Sequence, residues 1–147
     1  MKIYIASSWK NQHAVEMLTD QLRERGHTVL SFVENNHGEN PNSSENEAKA
    51  AKPVPFDQWC DAPDGQRSFD YDTNGAMYSD LVIYVSPSGK DAAAECGMAY
   101  GKGVPMIGLY AKGEDFGLMR KMMWGWFHDY RKLLDFVAEM QEVKKAA

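Results

Sequence analysis

The sequence predicts a doubly wound α/β domain, a parallel sheet of four to five strands held between two layers of helices. Three observations predict it. Strand-like and helix-like runs alternate along most of the chain. Two of the strand-like runs, Leu81–Ser86 (LVIYVS) and 104–110 (VPMIGLY), are apolar without alternation, as strands covered on both faces are. The length, 147 residues, suits one domain around one contiguous core.

Lys2–Ala6 is a β-branched and aromatic run and reads as the first strand. Ser7 and Ser8 follow with turn and capping hydroxyls. Over 11–25, Ala14, Val15, Met17, Leu18 and Leu22 form a helical stripe that Gly26 stops. Residues 27–33 (HTVLSFV) read as a second strand, which completes a βαβ unit with a right-handed crossover. The stretch 34–65 breaks this rhythm. Residues 35–46 are polar and turn-rich, Pro53-Val54-Pro55-Phe56 is expected to be extended, and Phe56 and Trp59 argue that the second half docks on something. Such an insertion either covers a substrate or is simply tolerated at the surface.

A helix is expected over 68–78 despite Gly75, then the LVIYVS strand, a helix over 91–102 ended by Gly103, and the strand 104–110. A short helix over 116–123 and a brief strand over 124–128 come next, and Asp129 caps an amphipathic helix over 130–143. The order describes a three-layer α/β/α sheet, flavodoxin- or Rossmann-like, spanning 1–147 as a single domain with an irregular insertion at about 34–65.

Composition narrows the partners. The net charge is −5, and no basic block is longer than a pair, so polymeric nucleic acid is not expected, whereas one helix terminus suffices for a small nucleotide. No apolar run approaches the roughly 20 residues that span a bilayer. Cys60 and Cys96 lack motif spacing and read as free thiols, consistent with a cytoplasmic chain. His13, His27, His37 and His128 have no ligand-like spacing, and neither a metal nor a cofactor is expected.

In open α/β sheets ligands collect beyond the carboxyl ends of the strands. Ser7-Ser8-Trp9, residues 32–34 and residues 86–91 should converge there, and Asp72 can approach the same mouth. The most informative segment is Ser88-Gly89-Lys90-Asp91-Ala92-Ala93-Ala94-Glu95. Ser88-Gly89 places flexible backbone at a helix start, where free N–H groups favour an anion. Asp91 and Glu95, four apart, share a helix face. On these facts alone an ordinary acidic first turn explains Glu95 as well as a catalytic role does. The Ser-Gly-Lys run is no Walker loop.

Four ordered segments resemble the nucleoside 2-deoxyribosyltransferase family and its relatives that hydrolyse deoxynucleoside monophosphates. They are Tyr4-Ile5-Ala6-Ser7-Ser8-Trp9, Asp72-Thr73-Asn74-Gly75-Ala76-Met77-Tyr78-Ser79-Asp80, Ala94-Glu95-Cys96-Gly97-Met98-Ala99-Tyr100 and Phe116-Gly117-Leu118-Met119. Together they cover roughly residues 3–120. The resemblance implies Glu95 as a nucleophile at a sugar C1′, Asp72 orienting Glu95 and the sugar hydroxyls, and Tyr4 hydrogen-bonding the nucleophile, with a buried strand tyrosine the alternative. It implies that Trp9, Phe56 and Trp59 are candidates to stack on a base, ordinary packing being the alternative, and that Met119 reaches a neighbouring subunit's site. A position near a helix N-terminus should help keep Glu95 ionised. Two positions depart from the family's transferases. Gly89 stands where they carry an acid, a substrate-binding place that Asp91 is the candidate to fill instead, and Gly117 where they carry an asparagine, which weighs against base exchange. Ser88-Gly89 suits a 5′-phosphate.

The expected activity is therefore cleavage or transfer at the N-glycosidic bond of a 2′-deoxynucleoside or its 5′-monophosphate. The alternative is a nucleotide-binding sensor on a TIR-like fold without turnover. Met119, Met122, Met123, Trp124 and Trp126 form a Met- and Trp-rich segment suited to a homodimer or higher homo-oligomer, with core packing the alternative.

Overall fold

The computed structural model describes residues 1–34, 55–111 and 116–147; the polar stretch 35–46 and Pro53-Val54 lie outside the described residues. Its frame is a five-stranded, all-parallel sheet in the order β2-β1-β3-β4-β5, with β1 Lys2–Ala6, β2 Thr28–Ser31, β3 Leu81–Ser86, β4 Met106–Tyr110 and β5 Gly125–Phe127. The helices are α1 Gln12–Glu24, α2 Phe56–Cys60, α3 Pro63–Tyr78, α4 Lys90–Lys102 and α5 Tyr130–Ala146, with 3₁₀ turns at Trp9–Asn11 and Leu118–Met122. The doubly wound sheet expected from the sequence is the fold observed. None of the described helices is long and apolar enough to cross a membrane.

Side chains of a strand alternate between faces, and the two faces of β1 and β3 feed two cores. Ile3, Ile5, Leu81, Ile83 and Val85 pack with Val15, Leu18 and Leu22 of α1 and Leu133, Leu134 and Val137 of α5. Tyr4, Ala6, Val82 and Tyr84 pack on the other face with Ala76 of α3 and Ala92, Cys96 and Ala99 of α4. Each fully buried Leu or Ile contributes about 1.5–3 kcal/mol, so the first core carries most of the stability. The second is built from alanines and tyrosines. Its small residues let α3 and α4 approach β1 closely, and two carboxylates lie within reach of a strand tyrosine.

The expected glycine stops hold: Gly26 and Gly103 take left-handed backbone, φ +84° and +76°. Other boundaries change. Phe56–Cys60 is helical, not extended or irregular, and α3 begins at Pro63, five residues before the expected start at Ser68. The density of Pro and Gly over 53–65 reads as turns, yet Pro63 occupies the first helical turn, where its missing N–H is not needed. The expected helix over 116–123 is a 3₁₀ turn confined to Leu118–Met122, and β2 ends at Ser31.

Candidate active site

The switch point of the sheet lies between β1 and β3, which run side by side with Tyr4 opposite Val82. Tyr4 is buried to 1% exposure, and its ring lies against α3 at Gly75, where an added Cβ would collide with Tyr4 Cδ2 and Cε2. This close approach is why a glycine sits in the middle of a helix. Gly75→Ala should therefore destabilise the protein by about 1–3 kcal/mol through overpacking, although alanine favours helix by up to about 1 kcal/mol. A thermal melt checks this. An unchanged or higher Tm would show that the Tyr4 ring is not held there.

One turn before Gly75, Asp72 brings its carboxylate to the same ring, and α4 brings Glu95. Tyr4 Oη lies 3.1 Å from Asp72 Oδ1 and also donates to Glu95 Oε1. Glu95 is 6% exposed. Burial, then the charge of Asp72, raises the Glu95 carboxyl well above the ordinary glutamate range. Burial likewise raises Asp72, with a further push from Asp91. The Tyr4 hydroxyl is raised by burial and then by its two acidic neighbours. Burial, helped by Glu95, pushes the Cys96 thiol up to about 12, so it stays protonated and unreactive.

The expectation that the helix N-terminus keeps Glu95 ionised is overturned. Glu95 is the sixth residue of α4, beyond the first turn, where the macrodipole gives at most about 0.3–1 kcal/mol. Desolvation beside a second carboxylate outweighs it. What favours the charged form here is the hydrogen bond from Tyr4.

The turns after β1 and β3 are tied together. Ser7 Oγ donates to the Val85 carbonyl at 2.8 Å. Asn11, buried, donates through Nδ2 to Ser7 Oγ (3.0 Å), the Val85 carbonyl (3.3 Å) and the Pro87 carbonyl (2.5 Å). Ser8 caps the 3₁₀ turn by accepting from the Lys10 amide, and Trp9 stands edge-on to Phe32 at 5.5 Å. Asn11 escaped the sequence reading. Its only signal is a polar residue at the start of α1, which looks like any helix cap.

A cleft of about 360 Å³ is lined by Tyr84, Pro87, Ser88, Gly89, Ala93, Gly97, Phe116, Met119 and Met122. Successive helix residues are about 100° apart, so Ala93 and Gly97 face a different flank of α4 from Glu95. Ser88, Gly89 and Met119 thus gather in the cleft, and Tyr4, Asp72 and Glu95 gather on the other flank. Tyr84, also missed from sequence, accepts from Ser88 Oγ at 2.8 Å and packs against Phe116 at 4.5 Å. In a strand apolar throughout, it read as core. Asp91 is exposed in the first turn of α4, where its charge acts on both buried carboxyls. Phe56 and Trp59 face each other on α2 with ring centres 6.3 Å apart, and Phe56 is 55% exposed. Among the described residues no cluster of His, Cys, Asp and Glu is arranged to hold a metal ion.

Solved structures share this architecture. A 2-deoxyribosyltransferase of Bacillus psychrosaccharolyticus superposes with a TM-score of 0.61 at 23% identity, over 90% of each chain. The fold is that of a 2-deoxyribosyltransferase. The same fold is found in a CMP N-glycosidase of Clostridium botulinum, with a TM-score of 0.56 and 15% identity over 94% of this chain and 99% of that one. A conserved protein of Enterococcus faecalis V583 shares it with a TM-score of 0.64 and 18% identity, over 95% and 98% of the two chains. No family model and no curated protein matches the sequence. At these identities the 2-deoxyribosyltransferase fold is what the chains have in common; activity has to be argued from the side chains.

Proposed function

We propose that the chain cleaves or transfers the N-glycosidic bond of a 2′-deoxynucleoside or its 5′-monophosphate, with Glu95 as nucleophile. The observation that carries this is Tyr4 held between two buried carboxylates, Asp72 and Glu95, at the switch point of the sheet. Two acids of which one accepts a fixed hydrogen bond suit a double displacement. A Glu95 oxygen attacks C1′ as the bond to the base breaks, through an oxocarbenium-like transition state. The resulting deoxyribosyl ester passes to water or to a second base. The fold shared with a deoxyribosyltransferase and a CMP N-glycosidase supports this chemistry.

Ser88, Gly89 and the first free amides of α4 are the groups we assign to a 5′-phosphate. We assign Ser7, Ser8 and Trp9 to substrate binding, with Phe56 and Trp59 as candidate platforms for the base. The test is a panel of 2′-deoxynucleosides with and without 5′-phosphate, each with and without an acceptor base, read by release of base and by mass of the protein. Release together with a deoxyribosyl adduct on Glu95 is expected. Thermal stabilisation by a nucleotide with no release from any substrate would replace this reading with the sensor.

The same reading expects a homodimer or higher oligomer, its interface including Leu118, Met119 and Trp124, which are 74%, 55% and 65% exposed. Light scattering at micromolar concentration checks this, and a monomer would remove it.

A further inference from the structure

We propose that Asn11 is the positioning residue behind a preference for 5′-phosphorylated substrates, because it holds the loop after β3 with the Ser88 amide turned toward the ligand. This rests on the glycosidic reading above and on its assignment of Ser88 and Gly89 to the phosphate. Asn11 occupies the N-cap of α1, where an asparagine side chain ordinarily accepts from an amide of the first turn. Here it makes no such bond. The side chain leaves its own helix and crosses to a loop 76 residues further along the chain.

There Nδ2 donates to the Val85 carbonyl at 3.3 Å, the Pro87 carbonyl at 2.5 Å and Ser7 Oγ at 3.0 Å. Two of these acceptors are carbonyls, which cannot donate, so the side-chain amide can present only its nitrogen to them. Asn11 is 5% exposed, which leaves water little room to compete for these bonds. Ser7 closes the clasp from β1 by donating to the Val85 carbonyl at 2.8 Å.

The consequence lies in one peptide plane. In a trans peptide the C=O and the N–H point in opposite directions. The bond between Pro87 and Ser88 is trans, and Asn11 draws its carbonyl inward, so the Ser88 N–H points away from Asn11. Pro87, Ser88 and Gly89 all line the cleft beside α4. The Ser88 hydroxyl donates to Tyr84 Oη at 2.8 Å, which leaves the amide as the Ser88 donor for a ligand. Gly89 keeps the approach open: it caps α4 without a side-chain hydrogen bond, and a Cβ there would meet nothing within 4 Å. The exposed Lys90 and Asp91 that follow carry opposite charges, so net charge does little to draw an anion to this turn. Directed amides have to do it, and their aim depends on the Pro87 carbonyl. A phosphate gains more from such a donor than a neutral 5′-hydroxyl does, because hydrogen bonds to charged groups are the stronger ones.

The test compares a 2′-deoxynucleoside 5′-monophosphate with its own nucleoside as substrates of the full-length protein. The unaltered protein should favour the monophosphate. Asn11→Ala should lower kcat/KM for the monophosphate by about 10–10²-fold, mostly through KM, and for the nucleoside by less than about threefold. Equal losses on both substrates would overturn the proposal and leave Asn11 as a structural clasp. No preference for the monophosphate in the unaltered protein would overturn it as well. Should the variant not fold, the amide resonances of the unaltered protein decide. The Ser88 amide should shift on titration with the monophosphate and with inorganic phosphate, and stay in place with the nucleoside. A Ser88 amide that ignores both phosphates would overturn the proposal. These resonances need no turnover, so base release from no substrate would sink the glycosidic reading while leaving the aim of the loop to be read from them.

Discussion

Glu95→Gln should abolish glycosidic turnover, by about 10⁴-fold or more, while making the protein more stable at alkaline pH. The loss follows because an amide cannot form the ester. The gain follows from burial. Glu95 lies 6% exposed beside Asp72, and its carboxyl is raised by desolvation first and by that neighbour second. An acid whose folded value lies above its unfolded value holds more protons in the folded state. Folding therefore weakens as pH rises above the ordinary glutamate value of 4.5 toward the elevated one. The amide side chain of the variant would have no such dependence and would still accept from Tyr4. The stability difference should open from pH 5 to pH 8 and reach about 1–2 kcal/mol, or roughly 3–8 °C in Tm. Melts of both proteins across that range decide it. A difference independent of pH would mean that Glu95 is not held against its charge.

Tyr4→Phe should lower kcat by about 10²-fold and move the acid limb of the pH profile upward. The ring keeps its place against Gly75, so the change removes one hydroxyl and little packing. That hydroxyl is what favours the ionised Glu95 against burial. Without it the carboxyl rises further, and a larger share of the protein holds a protonated, unreactive nucleophile at any given pH. Stability should fall by about 1–3 kcal/mol, since a hydrogen bond to a buried charged group is lost. A kcat loss with the acid limb unmoved would separate Tyr4 from the ionisation of Glu95 and leave it a packing residue.

The strands, helices α1, α4 and α5 and the doubly wound parallel character of the sheet were legible because their signals are local. Apolar runs such as LVIYVS, the stripe through Val15, Leu18 and Leu22, and the glycine stops at 26 and 103 each depend on residues a few positions apart. Helix α2 and the first turn of α3 were not legible. Pro53, Pro55, Pro63 and Gly65 spell turns locally, and only packing shows that Pro63 begins a helix.

At the site the division is sharper. By itself the sequence determined which acids and aromatics the chain carries, and that Glu95 lies beyond the carboxyl edge of a parallel sheet, since strand order and helix spacing place it there. Only the tertiary structure decided that Tyr4, 68 residues from Asp72 and 91 from Glu95, stands between them. It also reversed the electrostatics. A helix N-terminus can be read from sequence, but desolvation depends on what covers a carboxylate from every side. It divided the expected single mouth into two flanks of α4, and it explained Gly75. A glycine inside a helix is a weakness by every local rule, and the ring of Tyr4 is the non-local reason it is there.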